Sequence, residues 1–362
     1  MVFFFKDGLR ATPLSRQINA VDHAKALYML RTSKSEGGKT KTKPNGKPHL
    51  SAARKPKIGL ALGSGVARGW AHIGVINCLL KEGIKPDIIA GTSIGAVVGG
   101  ALACNSLDAI EHWARSLGKS NMFRFLDIKL GGSGLFGSDK LNTQMKEHFG
   151  HQQFSDLATP FTAVACELRT GHEVWLKDGP ISEAIRASFA LPGIFEPRQV
   201  KGQWLVDGAL VNPVPVSVCR AAGCDLVIAV NLAEDIFGRA RARREGALET
   251  DEYGVFSEDE LTPNFQASGN RSLLRRFFGH KKDAPSMFAN LVASIHIMQN
   301  RLSRSRLAGD PPDVTITPRC GHVGLMEFHR ASELIDEGER AFDLSKQQLR
   351  DAVAIVSHRM SL

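Results

Sequence analysis

Twice between residues 57 and 104 an apolar run ends in glycines and resumes as a helical pattern. Residues 57–62 lead into Gly63-Ser64-Gly65 and then a helix over 67–81, which Gly83 and Pro86 stop. Residues 87–90 lead into Gly91-Thr92-Ser93-Ile94-Gly95 and a second helix over 95–104. Strands that follow one another through helices pair in parallel, because a parallel connection needs a crossover too long for a tight turn. Further strands are predicted at 161–167, 173–176, 204–206, 226–231 and 313–317, with helices at 181–189 and from 287 to about 307. The pattern predicts an α/β fold, a mainly parallel central sheet with helices on both faces. No internal repeat is present.

Charge limits the partners. The formal net charge is +9, and residues 31–57 carry nine Lys or Arg against the single acid Glu36, so that stretch holds +8 of it. The remainder is near neutral, which argues against a basic nucleic-acid face on the folded body. Residues 1–55 therefore read as a basic, flexible segment, and 235–285 as a charge-dense insertion, acidic over 245–260 and basic over 271–282. Between and around them, 56–345 is the predicted catalytic domain, and 346–362 a C-terminal helix end. Six cysteines lie mostly in apolar runs without CxxC spacing, the pattern of buried thiols in a reducing cytoplasm and not of a disulfide framework or metal site. The opening "MVFFFKDG" is too short for a signal peptide. Residues 88–107 are uncharged throughout, but their glycines, Thr92, Ser93, Asn105 and Ser106 make them a poor spanning helix. A cytoplasmic protein is expected.

The first glycine cluster fits neither common nucleotide loop. A dinucleotide fingerprint needs its third glycine where Arg68 stands, with Gly69 one place late, and a Walker loop needs a lysine that is absent. What remains is a glycine turn after a strand, whose backbone N–H groups can receive an anion, including the transient oxyanion of acyl transfer. The second cluster reads as G-x-S-x-G between a strand and a small-residue helix, the setting of a nucleophile elbow that holds Ser93 up for attack.

A serine nucleophile needs a base. His296, His322 and His329 follow Asp207 in the order of an α/β-hydrolase triad, but none sits in a glycine-flanked strand-end loop. Asp207 ends the apolar run "WLVDGALVNPVP" and precedes Gly208. Its carboxylate is either a turn cap or a direct base, the latter if the site is dry enough to lift its pKa toward neutrality.

Gly63-Ser64-Gly65-Val66-Ala67-Arg68-Gly69, Gly91-Thr92-Ser93-Ile94-Gly95 and Asp207-Gly208-Ala209, in that order, resemble the three signature motifs of the patatin-like phospholipases, in the bacterial branch related to the patatin domain of neuropathy target esterase. The resemblance runs over about 57–232, including "AIRASFALPGIFEP", and more loosely over 287–340. It implies a patatin-like three-layer sandwich, Ser93 as nucleophile, Asp207 as base of a Ser–Asp dyad, and an oxyanion hole from the N–H groups of Gly63, Ser64 and Gly65. Ser64 stands where many members have glycine. Arg68 reads as a residue that ties the turn to neighbouring carbonyls. The implied reaction is hydrolysis of a lipid acyl ester, of a phospholipid or lysophospholipid, with no metal and no organic cofactor. Acyl transfer and a non-catalytic scaffold that kept the fold are the competing readings. Peripheral contact with an anionic membrane is expected through "RSLLRRFFGHKK", where Leu273, Leu274, Phe277 and Phe278 share a face if the segment is helical.

Overall fold

The computed structural model describes residues 54–118, 127–128, 134–137, 143, 145, 147–233 and 287–361. The amphipathic 271–282, the 235–285 insertion and nearly all of the basic 1–55 segment lie outside them. In chain order the elements begin with β1 (Ile58–Leu62), α1 (Ala71–Lys81), β2 (Ile88–Thr92), α2 (Ile94–Ala103), α3 (Leu107–Ser116), β3 (Asp127–Ile128) and β4 (Gly134–Gly137). There follow β5 (Phe161–Glu167), β6 (Glu173–Leu176), α4 (Ile181–Ser188), β7 (Gly193–Phe195), β8 (Arg198–Val200) and β9 (Gln203–Asp207). The last are α5 (Val216–Ala221), β10 (Leu226–Val230), α6 (Met287–Gly309), β11 (Val314–Ile316) and α7 (Ala331–Ser361).

Among the described residues eight strands make the main sheet, and β3, β4 and β7 a small second one. In the main sheet β11, β10, β1, β2 and β5 pair in parallel, as the strand–helix alternation requires. Around β5 the direction reverses: β6 and β9 pair with it antiparallel, and β8 pairs with β9 antiparallel. Short turns explain two of these three pairings, β5 with β6 through residues 168–172 and β8 with β9. Lys201 and Gly202, both at positive φ, join β8 to β9 in a two-residue hairpin, which cannot make a parallel crossover.

Side-chain alternation along the strands divides the core. Leu60, Leu62, Ile89, Ala163, Ile228 and Val230 face the layer of α1, α2, α4 and α7. Ala61, Ala90, Val164, Val227 and Ala229 face α5 and the end of α6. The second face is lined by smaller residues, and α5 comes close: a Cβ on Gly59 would lie 2.7 Å from the Cβ of Cys219. On the first face α1 and α7 cross at two glycines, since a Cβ on Gly74 or Gly338 would lie 2.0 Å from the carbonyl of Ile335 or Ala71 respectively. α7 continues unbroken through residue 346, where the sequence suggests a boundary, and buries Phe342 and Leu349 on either side of it.

The uncharged 88–107 stretch forms β2, a sharp turn and α2. Among the described residues no helix is long and apolar enough to cross a membrane. The helix predicted over 67–81 is instead a 3₁₀ turn, Val66–Trp70, followed by α1. Gly69 lies against Ile94 there, where a Cβ would come within 2.2 Å of the isoleucine side chain.

Candidate active site

Two strands meet end to end on one edge of β5. Thr92 at the end of β2 pairs with Val164, and Asp207 at the end of β9 pairs with Ala165. β6 occupies 163–166 of β5 and overlaps both registers, so β2 and β9 must share the opposite edge. Running toward each other along it, they bring Ser93 and Asp207 together, although the two are far apart in sequence.

Ser93 occupies the N-cap position of α2 with φ 58° and ψ −123°. A non-glycine residue at that backbone conformation is strained by about 1–3 kcal/mol, and must be held by its surroundings. The flanking glycines are a steric requirement: a Cβ on Gly91 would lie 2.4 Å from the Gly95 carbonyl oxygen, and one on Gly95 2.2 Å from that of Leu62. The Thr92 hydroxyl donates to the Asn212 carbonyl at 2.8 Å and ties the elbow to the segment after Asp207. The Ser93 amide donates to the Ser188 hydroxyl at 2.9 Å.

The Ser93 hydroxyl donates to Oδ2 of Asp207 at 2.6 Å, and Oδ1 accepts from the Ala209 amide at 2.8 Å. Both side chains are buried, Ser93 at 2% and Asp207 at 1% exposure. Burial pushes the Asp207 carboxyl up to about 7, against the opposing pull of the Ser93 and Ala209 hydrogen bonds. Gly208 is required where it stands, because a Cβ there would lie 2.1 Å from the Val164 carbonyl oxygen. Among the described residues neither member of the pair bonds a histidine. His322 pairs with Glu333 at 2.7 Å, and His296 contacts Arg68 and Asn300.

The first glycine turn lies beside the elbow, the Gly63 carbonyl being 2.6 Å from where a Gly95 Cβ would be. Its amides are not equivalent. Gly63 N–H donates to Val230 O at 3.0 Å and Ser64 N–H to Pro213 O at 2.9 Å, so both are engaged with carbonyls. This departs from the expectation that all three amides face an oxyanion; the Gly65 amide has no acceptor among the described residues. The peptide between Gly63 and Ser64 is held at both ends, for its carbonyl accepts from Nε2 of His72 at 2.7 Å. A carbonyl only accepts, so the proton sits on Nε2, and complete burial lowers the His72 pKa to about 4 and keeps the ring neutral. Arg68 is buried and its Nε donates to Val323 O at 2.8 Å, while Ala67 N–H donates to Leu325 O at 3.0 Å. These bonds join the turn to the segment between β11 and α7.

Ser188, His72 and Asn212 escape sequence reasoning. Each is a polar residue inside or beside an apolar run, a pattern that shows burial but not the partner.

Residues 60–220 match the family model described as patatin-like phospholipase. An uncharacterized NTE family protein of Mycobacterium tuberculosis is 35% identical over 329 residues, 80% of this chain and 91% of that protein. The human patatin-like phospholipase domain-containing protein 6 is 31% identical over 182 residues, 48% of this chain and 13% of that one. Among solved structures, VipD from Legionella pneumophila aligns with 83% of this chain and 67% of its own, at 13% identity and a TM-score of 0.43.

Proposed function

The chain belongs to the NTE family of patatin-like phospholipase proteins, and on that footing we propose that it is a serine hydrolase that cleaves lipid acyl esters through Ser93 and Asp207 without a histidine. The observation that carries the reading is the 2.6 Å hydrogen bond between the Ser93 hydroxyl and a buried carboxylate whose pKa lies near 7. A base works best when its pKa is close to the working pH, where it is largely ionised and still takes a proton readily.

In this mechanism Oγ of Ser93 attacks the ester carbonyl carbon and its proton passes to Oδ2 of Asp207. The tetrahedral intermediate carries its negative charge on the former carbonyl oxygen, toward the glycine turn. Of the three amides named for that role, Gly65 is the one we assign, with Gly63 and Ser64 holding the turn in shape. Collapse breaks the ester C–O bond, and Asp207 returns the proton to the departing alcohol. Water then attacks the acyl-enzyme, giving its proton to Asp207, and collapse breaks the bond between the acyl carbon and Oγ as Asp207 hands that proton to Oγ, which releases the fatty acid and restores Ser93. The substrates are phospholipids or lysophospholipids, reached by peripheral contact with an anionic membrane.

Labelling with a fluorophosphonate probe, together with turnover of lysophospholipid, tests the assignment. Wild type should label and turn over, while Ser93→Ala and Asp207→Asn should each lose several powers of ten in kcat, as members of one coupled unit do. A folded wild type that neither labels nor hydrolyses would favour the scaffold reading. Label with acyl transfer to an added alcohol in place of fatty-acid release would favour the transferase.

A further inference from the structure

The end of α4 touches both members of the Ser93–Asp207 pair. Ser188, its last residue, is fully buried, and its hydroxyl accepts from the Ser93 amide at 2.9 Å while donating to the Val164 carbonyl at 2.5 Å. Two residues on, the Ala190 carbonyl accepts from the Asp207 amide at 2.9 Å. We infer that Ser188 is a positioning residue for the nucleophile, and that with Ala190 it makes the C-terminal turn of α4 a clamp on both halves of the dyad.

A hydroxyl has one proton and two acceptor positions. With its proton directed at Val164 O, the Ser188 oxygen presents a lone pair to Ser93 N–H, so the direction of the bond is set by β5 and not by chance rotation. The Ser93 amide needs such a partner: at a helix N-cap it has no acceptor within its own helix, and burial excludes water. The bond also fixes the peptide before Ser93, hence the strained elbow, hence the point from which Oγ reaches Asp207. Because Val164 pairs with Thr92 and its neighbour Ala165 with Asp207, the strand that aims Ser188 also registers both strand ends.

Without that hydroxyl the Ser93 amide and the Val164 carbonyl lose their partner, and the elbow can relax. Displacing a reacting group by about 1 Å costs on the order of 10²-fold in rate. Ser188 is fully buried and its hydroxyl bonds backbone groups of Ser93 and Val164, so the loss belongs in kcat and not in substrate binding. A second consequence follows from the dyad itself. The Ser93 hydroxyl lowers the Asp207 pKa against burial, so a slackened contact lets that pKa rise. On β5, beside β9, the other titratable groups are Cys166, whose thiol is pushed up by burial and by Asp207, and Glu167, which bonds the Thr170 hydroxyl. On α4, Glu183 and Arg186 pair with each other, and α2 carries no titratable residue.

The inference rests on the Ser93–Asp207 reading, and kinetics of the full chain separate the two. Wild type, Ser188→Ala, Ser188→Thr and Ser188→Cys are compared on a chromogenic acyl ester, with active sites counted by fluorophosphonate titration. Ser188→Ala should lower kcat per titrated site about 10- to 100-fold with KM nearly unchanged, and move the acid limb of the pH–rate profile to higher pH. Ser188→Thr, which keeps the hydroxyl, should recover most of the rate, and Ser188→Cys, of similar size but a weak hydrogen-bonder, should lie between. A residue needed only for folding would reduce the number of titratable sites without moving the limb or kcat per site. Wild-type kcat and an unshifted limb in Ser188→Ala overturn the inference, as does Ser188→Thr performing no better than Ser188→Cys when Ser188→Ala does not fold. A wild type that takes no probe overturns the dyad reading, and this inference with it.

Discussion

Burial of the Asp207 carboxyl links its protonation to the stability of the fold. Its pKa in the fold is about 7 against an ordinary 3.8, so between those values the folded state binds more protons than the unfolded chain. Stability therefore falls as pH rises through that window, and the cost persists above it, by roughly 4 kcal/mol at most. Asp207→Asn removes the charge and should melt at higher temperature than wild type at pH 8, with the gap closing as pH falls toward 4. A gap that does not depend on pH would rule out burial of the charge as its source. The glycine turn sets a second contrast. Ser64→Ala keeps every backbone bond and should retain kcat within about threefold, whereas Gly63→Ala places a Cβ 2.8 Å from the Val230 carbonyl and should lose at least tenfold, as displaced catalytic geometry does. Equal kcat values for the two variants would mean that the turn tolerates the shift.

At the scale of elements, the α1–α7 crossing is where a small substitution should do the most damage away from the site. The two helices approach so closely that a methyl at Gly338 meets the Ala71 carbonyl at 2.0 Å, and backbone on a packed helix cannot swing aside as a side-chain tip can. Gly338→Ala should lower the unfolding free energy by about 1–3 kcal/mol, despite the better helix propensity of alanine. Urea denaturation reads this directly, and an unchanged or raised midpoint would show that the helices separate without cost. Because α1 begins directly after the 3₁₀ turn that carries Arg68, the same variant should also lose some activity.

Across the whole molecule, the motifs lie within 63–209 but the last part of the chain completes their support. Arg68 and Ala67 bond the segment before α7, α7 packs on α1, and β11 extends the sheet beyond β10. Charge is distributed the other way, with +8 of the net +9 in residues 31–57. Clustered basic residues attract anionic lipid by about 1 kcal/mol each near the surface, screened by salt. Co-sedimentation with anionic vesicles should accordingly weaken as salt rises, and weaken further in a chain lacking residues 1–55 and in Phe277→Ser/Phe278→Ser. Equal binding by all three proteins would place the membrane contact elsewhere.

Local physics made much of this chain legible before any coordinates. Strands such as Phe161–Glu167 and helices such as Ile181–Ser188 follow from apolar period and from glycine and proline stops. Gly91 and Gly95 mark a turn too tight for a Cβ; Ser93 stands out midway between them after an apolar run, and Asp207 because it ends such a run with Gly208 beside it. What sequence periodicity cannot express is which edge a strand takes. That β2 and β9 meet head to head on β5, so that Ser93 reaches Asp207 without an intervening histidine, depends on pairings between distant residues. The same holds for the amides of Gly63 and Ser64, whose acceptors at Val230 and Pro213 lie far along the chain. Ser188 and His72 acquire their roles only through such neighbours, because a hydrogen bond is decided by where two groups lie in space, while local sequence decides only the conformation each brings there.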